Sequence, residues 1–197
     1  MSTPFRQIRA DFDDRTVVVY QAYRPEIAGP AAASGRFGGE FKRARMTWIK
    51  PSFLWMMYRC GWASKPGQER VLAITVTRAG FEWALRNSAL SHLDRSLHRD
   101  VADWRSGLSA PVRVQWDPER DTHLRPLPHR SLQVGLSGPA VDRYCDEWIT
   151  GIEDVTERAR TVRGLVAAGD DAGATRLLPV ERPYPLPDDI AARIGCR

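Results

Sequence analysis

Residues 46–62, MTWIKPSFLWMMYRCGW, decide what kind of fold this chain adopts. The run ARMTWIK (44–50) reads as a strand. Pro51 then opens a helix that Gly61 closes, since proline suits a first turn and glycine the position just past the last. Polar residues are nearly missing from that helix. Phe53, Leu54, Trp55, Met56, Met57 and Tyr58 cover all its sides, so the rest of the chain must enclose it.

Lys50 and Arg59 are the exceptions. Lys50 stands just before the helix start, where free backbone N–H groups and the helix dipole favour a negative group. Ser52 and Arg59 lie seven residues apart and share one helix face. A buried guanidinium without a partner is strongly disfavoured, so Arg59 is expected to meet a carboxylate of the chain, backbone carbonyls or a bound anion. Two readings stand: an internal ion pair, or a ligand phosphate or carboxylate held by Lys50, Ser52, Arg59 and the helix N-terminus. Trp48, Trp55 and Trp62 recur every seven residues, but Pro51 breaks the period, so they form core rather than a coiled-coil seam.

Outward from this stretch, TVVVYQAY (16–23) is β-branched and aromatic, a buried strand, and a short helix follows from Pro25. RFGGEFKR (36–43) is a glycine-containing loop. Further strands are expected at 69–77, 110–116 and 130–136, a short helix at 78–88, and helical spacing over 138–169 with a break near Gly151. The tail RLLPVERPYPLP is extended, because its prolines cannot occupy a helix interior. Strands and helices mix without strict alternation. The expected fold is therefore α+β, a single domain over residues 1–197 with a bent or split mixed sheet, short helices and a C-terminal helical region. GRFGG lacks G-x-G-x-x-G spacing, and no Walker A motif is present.

With 43% hydrophobic and 27% charged residues in 197, the chain has the profile of a folded globular protein. Its net charge of +5 suits an anionic ligand, although the excess is spread along the chain. Cys60, Cys145 and Cys196 form no CxxC pair, which argues against a disulfide framework or a structural zinc and fits a reducing compartment. The N-terminus has no apolar core, and no run approaches the ~18 apolar residues that a membrane span needs. A cytoplasmic protein without a membrane partner is expected.

A second constellation is QWDPERD (115–121). The strand VRVQW is expected to end in an Asp117-Pro118 turn that holds Glu119 in a fixed direction. A carboxylate there can orient a hydroxyl, stabilise developing positive charge or act as a base, while ordinary turn chemistry is the plain alternative. Arg6 and Arg9 either lie on the surface or fold back over the sheet toward an anion. Glu181 and Arg182 serve as a clamp or a latch for the tail. His92, His98, His123 and His129 show no metal-ligand spacing, and no metal is expected.

Taken in order, RQIRADFDD, VVVYQAYRPEIA, RMTWIKPSFLWMMYRCGW, VQWDPERD, RSLQVGL and LLPVERPYP resemble the bacterial and fungal family called domain of unknown function 4291, over roughly residues 5–185. The layout of VVYQAYRPEIAGPAAASGRF, with a glutamate near a late strand, is also similar to that of ADP-ribosyltransferases. That likeness implies an ADP-ribosyltransferase-like sheet and a pentosyl transfer from NAD, which binds as substrate. Glu119 would stabilise an oxocarbenium-like ribose, and Lys50, Arg59, Trp48, Tyr20 and Tyr23 would hold pyrophosphate and rings. Gln21 stands where those enzymes carry His or Arg, so anchoring would fall to Arg6, Arg9 or Arg59. The competing expectations are a nucleic-acid-binding module, with nucleic acid also a possible acceptor, and a non-catalytic interaction domain.

Overall fold

Two sheets meet at one backbone junction, and the junction positions the site. In the computed structural model, which describes residues 3–196, the first sheet joins β2 (Thr16–Tyr23), β4 (Arg70–Thr77) and β8 (Ile149–Asp154), all antiparallel. The second runs β3 (Thr47–Ile49), β7 (Pro126–Leu136), β6 (Val112–Arg120), β5 (Ser88–Leu90), with β5 parallel to β6 and the other pairs antiparallel. A short ribbon pairs β1 (Arg9–Ala10) with β9 (Arg182–Pro183). The α+β class and the split mixed sheet expected from the sequence are what the chain adopts.

The junction is Tyr20 and Lys50. Tyr20 N–H donates to the Lys50 carbonyl at 2.7 Å and Lys50 N–H to the Tyr20 carbonyl at 3.2 Å, so the end of β3 is pinned to the middle of β2. The residue after a strand end is thereby drawn inside the fold.

Side-chain alternation sorts the layers. Val112 and Val114 of β6 and Leu132, Val134 and Leu136 of β7 enter the main core, where they join Val17, Val19, Leu72, Ile74 and Val76 of the first sheet. Helices α1 (Pro25–Ser34), α3 (Arg78–Arg86) and α8 (Asp188–Ile194) contribute Ala28, Phe81, Leu85, Ile190 and Ile194 to that core. On the other face of the first sheet, Tyr20, Val71 and Ala73 pack against Phe53, Met56 and Met57 of α2 (Phe53–Cys60) and Ala159 and Val162 of α6 (Thr156–Ala167). Helices α4 (Val101–Gly107), α5 (Pro139–Arg143) and α7 (Asp171–Arg176) are short. No helix of the described residues is long and apolar enough to cross a membrane.

Two local expectations are corrected. Residues 149–154 form β8 rather than a helix break, because Ile149 and Ile152 supply one half-buried edge to β4 across a bulge at Thr75/Val76. A π-helical turn, Tyr144–Trp148, delivers the chain into it. Asp117-Pro118 is not a turn: β6 continues to Arg120, with a bulge between Pro118 and Arg120. Beyond Val114 strand β5 no longer pairs with β6, so proline withholds no hydrogen bond there. The proline-rich stretch before α8 is extended as expected, and α8 itself, on which the sequence carried no expectation, seats Ile190 and Ile194 in the core.

Candidate functional site

The faces of β6 and β7 that turn away from the core carry polar residues: Gln115, Asp117 and Glu119 on one strand, Ser131 and Gln133 on the other. Register puts Gln115 opposite Gln133 and Asp117 opposite Ser131. Next to them, Trp48 of β3 lies opposite Gly135. A cleft of about 830 Å³ opens over this face. Its floor includes Lys50, Gln115 and Gln133, and Trp48 and Met56 form apolar wall. Lys42, Arg45 and Arg59 stand at its mouth as exposed cations.

Gly135 is required for that wall. A Cβ on it would lie 2.9 Å from Met46 Sδ and 2.9 Å from Trp48 Cζ2, so the indole rests directly on the strand. Gly135→Ala is expected to lift Trp48 and to destabilise the fold by about 1–3 kcal/mol. A changed tryptophan emission spectrum together with a lowered urea midpoint would show it; an unaltered spectrum would place the indole elsewhere.

Lys50 is the deepest cation of the cleft. Only 5% of its surface is exposed, and its Nζ donates to the Trp48 carbonyl at 3.0 Å. Among the described residues no carboxylate forms an ion pair with it; the nearest acid with any influence is Asp117. Burial, with the charge of Arg59 adding to it, draws the Lys50 ammonium down from its ordinary 10.5 to about 7.

Arg59 corrects the sequence reading. It is exposed at the cleft mouth rather than sunk in apolar surroundings, and it has no ion-pair partner among the described residues. Helix α2 is covered on its Phe53, Met56 and Met57 side, while Tyr58 and Arg59 reach solvent. Arg120 stacks over Tyr58 there, its guanidinium 3.7 Å from the ring centre.

The helix N-terminus is also not free for a ligand. Ser52 Oγ accepts from Trp55 N–H at 3.1 Å, and Glu181 Oε1 accepts from Phe53 N–H at 2.6 Å. Ser52 therefore acts as the cap of α2. Glu119 is 8% exposed and accepts from the Arg120 N–H at 2.8 Å; burial nevertheless pushes its carboxyl up, against the opposing influence of that N–H and of the nearby Ser52 and Ser131. Glu181 is pushed up to about 8, by burial first and then by the neighbouring Glu119. These two acids form a cluster behind the cleft, and Glu119 is not among the residues lining it.

The remaining candidates divide in the same way. Gln21 and Tyr23 line the cleft, but Gln21 is fully engaged: it donates to Thr47 Oγ1 at 2.6 Å and to the Trp48 carbonyl at 3.2 Å, and accepts from the Tyr144 hydroxyl at 2.8 Å. Its role is to fix β3 and hence Trp48. Tyr23 shares Thr47 Oγ1 at 3.0 Å. Tyr20 is core, edge-on to Phe53 at 5.4 Å. Arg6 pairs with Asp94 at 2.5 Å, and Arg9 bonds Gln7 and the Glu181 carbonyl, so both are spent on holding the termini rather than reaching the cleft. Among the described residues no group of His, Cys, Asp and Glu has the arrangement of a metal site.

Sequence reasoning did not single out Lys42, Arg45, Gln115 and Gln133. Alternation along VRVQWDPE signals that Gln115 shares a face with Asp117 and Glu119, but which residue of β7 lies opposite is a matter of register. A family model described as Domain of unknown function (DUF4291) matches residues 7–184. No curated protein matches the chain.

Proposed function

The chain belongs to the DUF4291 family, whose description carries no activity, and we propose from the cleft itself that the protein binds an anionic nucleotide there. The observation that carries this reading is Lys50: an ammonium almost wholly removed from water, without a carboxylate among the described residues to neutralise it, lining an open cleft. Such a group is strongly disfavoured unless an anion compensates it. Lys42, Arg45 and Arg59 around the mouth supply further charge for a chain of phosphates, and the Trp48 indole supplies a flat apolar surface for a ring.

NAD is the nucleotide that the layout resemblance to ADP-ribosyltransferases favours, with Glu119 as the acid that would support the ribose. Glu119 lies on the same strand face as Gln115 and Asp117 but behind the cleft, so anion binding rather than catalysis is the stronger part of the proposal. Binding of nucleic acid along the cationic mouth is the second reading, favoured by the exposure of Lys42, Arg45 and Met46 beside Trp48.

Thermal shift with NAD, ADP-ribose, ATP, adenosine and a short single-stranded RNA separates these. The phosphorylated ligands are expected to raise the melting temperature, and adenosine is not. Arg59→Gln is expected to weaken binding and flatten its salt dependence. Nicotinamide release from NAD, lost in Glu119→Gln with the fold intact, would extend the reading to catalysis. If neither nucleotides nor RNA shift the protein at low salt, the proposal fails.

A further inference from the structure

We infer that the floor of the cleft selects its ligand by an N–H₂-bearing edge, read by the amide oxygens of Gln115 and Gln133. This rests on the nucleotide reading above. Gln115 Nε2 donates to Asp117 Oδ1 at 2.9 Å, and Gln133 Nε2, from the neighbouring strand, donates to Asp117 Oδ2 at 2.8 Å. An ionised carboxylate only accepts, so both amides are fixed with nitrogen toward Asp117 and oxygen turned away. The two glutamines are direct cross-strand partners, which sets their free ends side by side.

Neither Oε1 has a hydrogen-bond partner among the described residues, and neither is sealed from the cleft. Both residues line the cleft. An acceptor that opens into a cleft with no donor from the chain is free to take one from a ligand. The cations at the mouth satisfy acceptors, such as phosphate oxygens. A ligand composed only of acceptors would leave the two amide oxygens bare, whereas one that also carries an amino group satisfies both halves of the cleft. Within nucleotides this chemistry has four sources: the carboxamide of nicotinamide, the 2-amino group of guanine, the 6-amino group of adenine and the 4-amino group of cytosine.

The test uses full-length protein and ligand pairs that differ at this group alone. They are NAD against its 3-acetylpyridine analogue, GTP against ITP, ATP against purine riboside triphosphate, and CTP against pyrimidin-2-one riboside triphosphate, each titrated calorimetrically. In at least one pair the partner lacking N–H₂ is expected to bind about tenfold more weakly, and that pair identifies the source. Gln133→Met is expected to abolish the difference, so that the two partners of that pair bind alike. If that variant does not fold, the ligand pairs on the unmodified protein decide alone. Nucleotides that bind with no difference in any pair would overturn the inference and leave the nucleotide reading standing. Absence of all nucleotide binding would overturn both.

Discussion

Replacing Lys50 by methionine is expected to stabilise the unliganded protein at pH 6 and to weaken nucleotide binding by tenfold or more. Both effects come from one circumstance, an ammonium held where water does not reach it. A lysine ordinarily half-protonated near pH 10.5 and drawn down to about 7 carries a penalty against charging of about 5 kcal/mol. Methionine fills a similar volume without charge, and exchanges of this kind at buried ionic sites gain about 1–4 kcal/mol. The sign with pH is fixed. Below pH 7 the folded and unfolded chains both hold the proton, and the folded state bears the full penalty. Between pH 7 and 10.5 the unfolded chain holds a proton that the folded chain has released, so stability rises with pH over that window. The Glu181 carboxyl, pushed up to about 8, acts in the opposite sense at lower pH: stability falls as pH rises from its ordinary 4.5. The difference between Lys50→Met and the unmodified protein isolates the lysine. It should be greatest at pH 6 and vanish toward pH 10.5 in urea unfolding. Nucleotide binding should take up a proton near pH 7.5 and lose that uptake in the variant. Equal affinities in the two proteins would remove Lys50 from the site.

Gly80→Ala is expected to destabilise the fold by about 3 kcal/mol, although local propensity points the other way. Gly80 lies in α3, where alanine is ordinarily better than glycine by about 1 kcal/mol. Its backbone lies against the Trp148 indole: an added Cβ would stand 2.3 Å from Cγ, 2.5 Å from Cδ1 and 2.7 Å from Cδ2. Trp148 has little room to yield. It is 3% exposed, packs on Trp83 at 5.5 Å and closes the π-helical turn that leads into β8. Overpacking of this kind costs about 1–3 kcal/mol, occasionally more. For a chain of this size the melting temperature should fall by about 6–12 °C. A melting temperature that rises instead would show the tertiary contact to be looser than its geometry.

Where sequence reasoning succeeded, the signal was local. The strand at 16–23 is apolar and β-branched; Pro51 and Gly61 bracket α2; the prolines of the tail keep it extended. Where it failed, the answer lay in another segment. The ITGIED stretch has a strand's residues, but only the free edge of β4 makes it a strand. Asp117-Pro118 has the composition of a turn, yet pairing with Ser131 and Arg130 carries β6 through it.

The sequence by itself determined that this is an α+β chain with a cationic excess, an apolar helix following Pro51 and a lysine at its entrance. Those are properties of neighbouring residues, because propensity, capping and periodicity act over a few positions. Only the tertiary structure decided which cation is buried. The junction of Tyr20 with Lys50 draws the lysine inward, and the open side of α2 leaves Arg59 in water. Only register set Gln115 beside Gln133, and only the return of the tail brought Glu181 onto the helix start that the sequence left free for a ligand. Burial and juxtaposition depend on what distant segments cover, and no short stretch of chain contains that information.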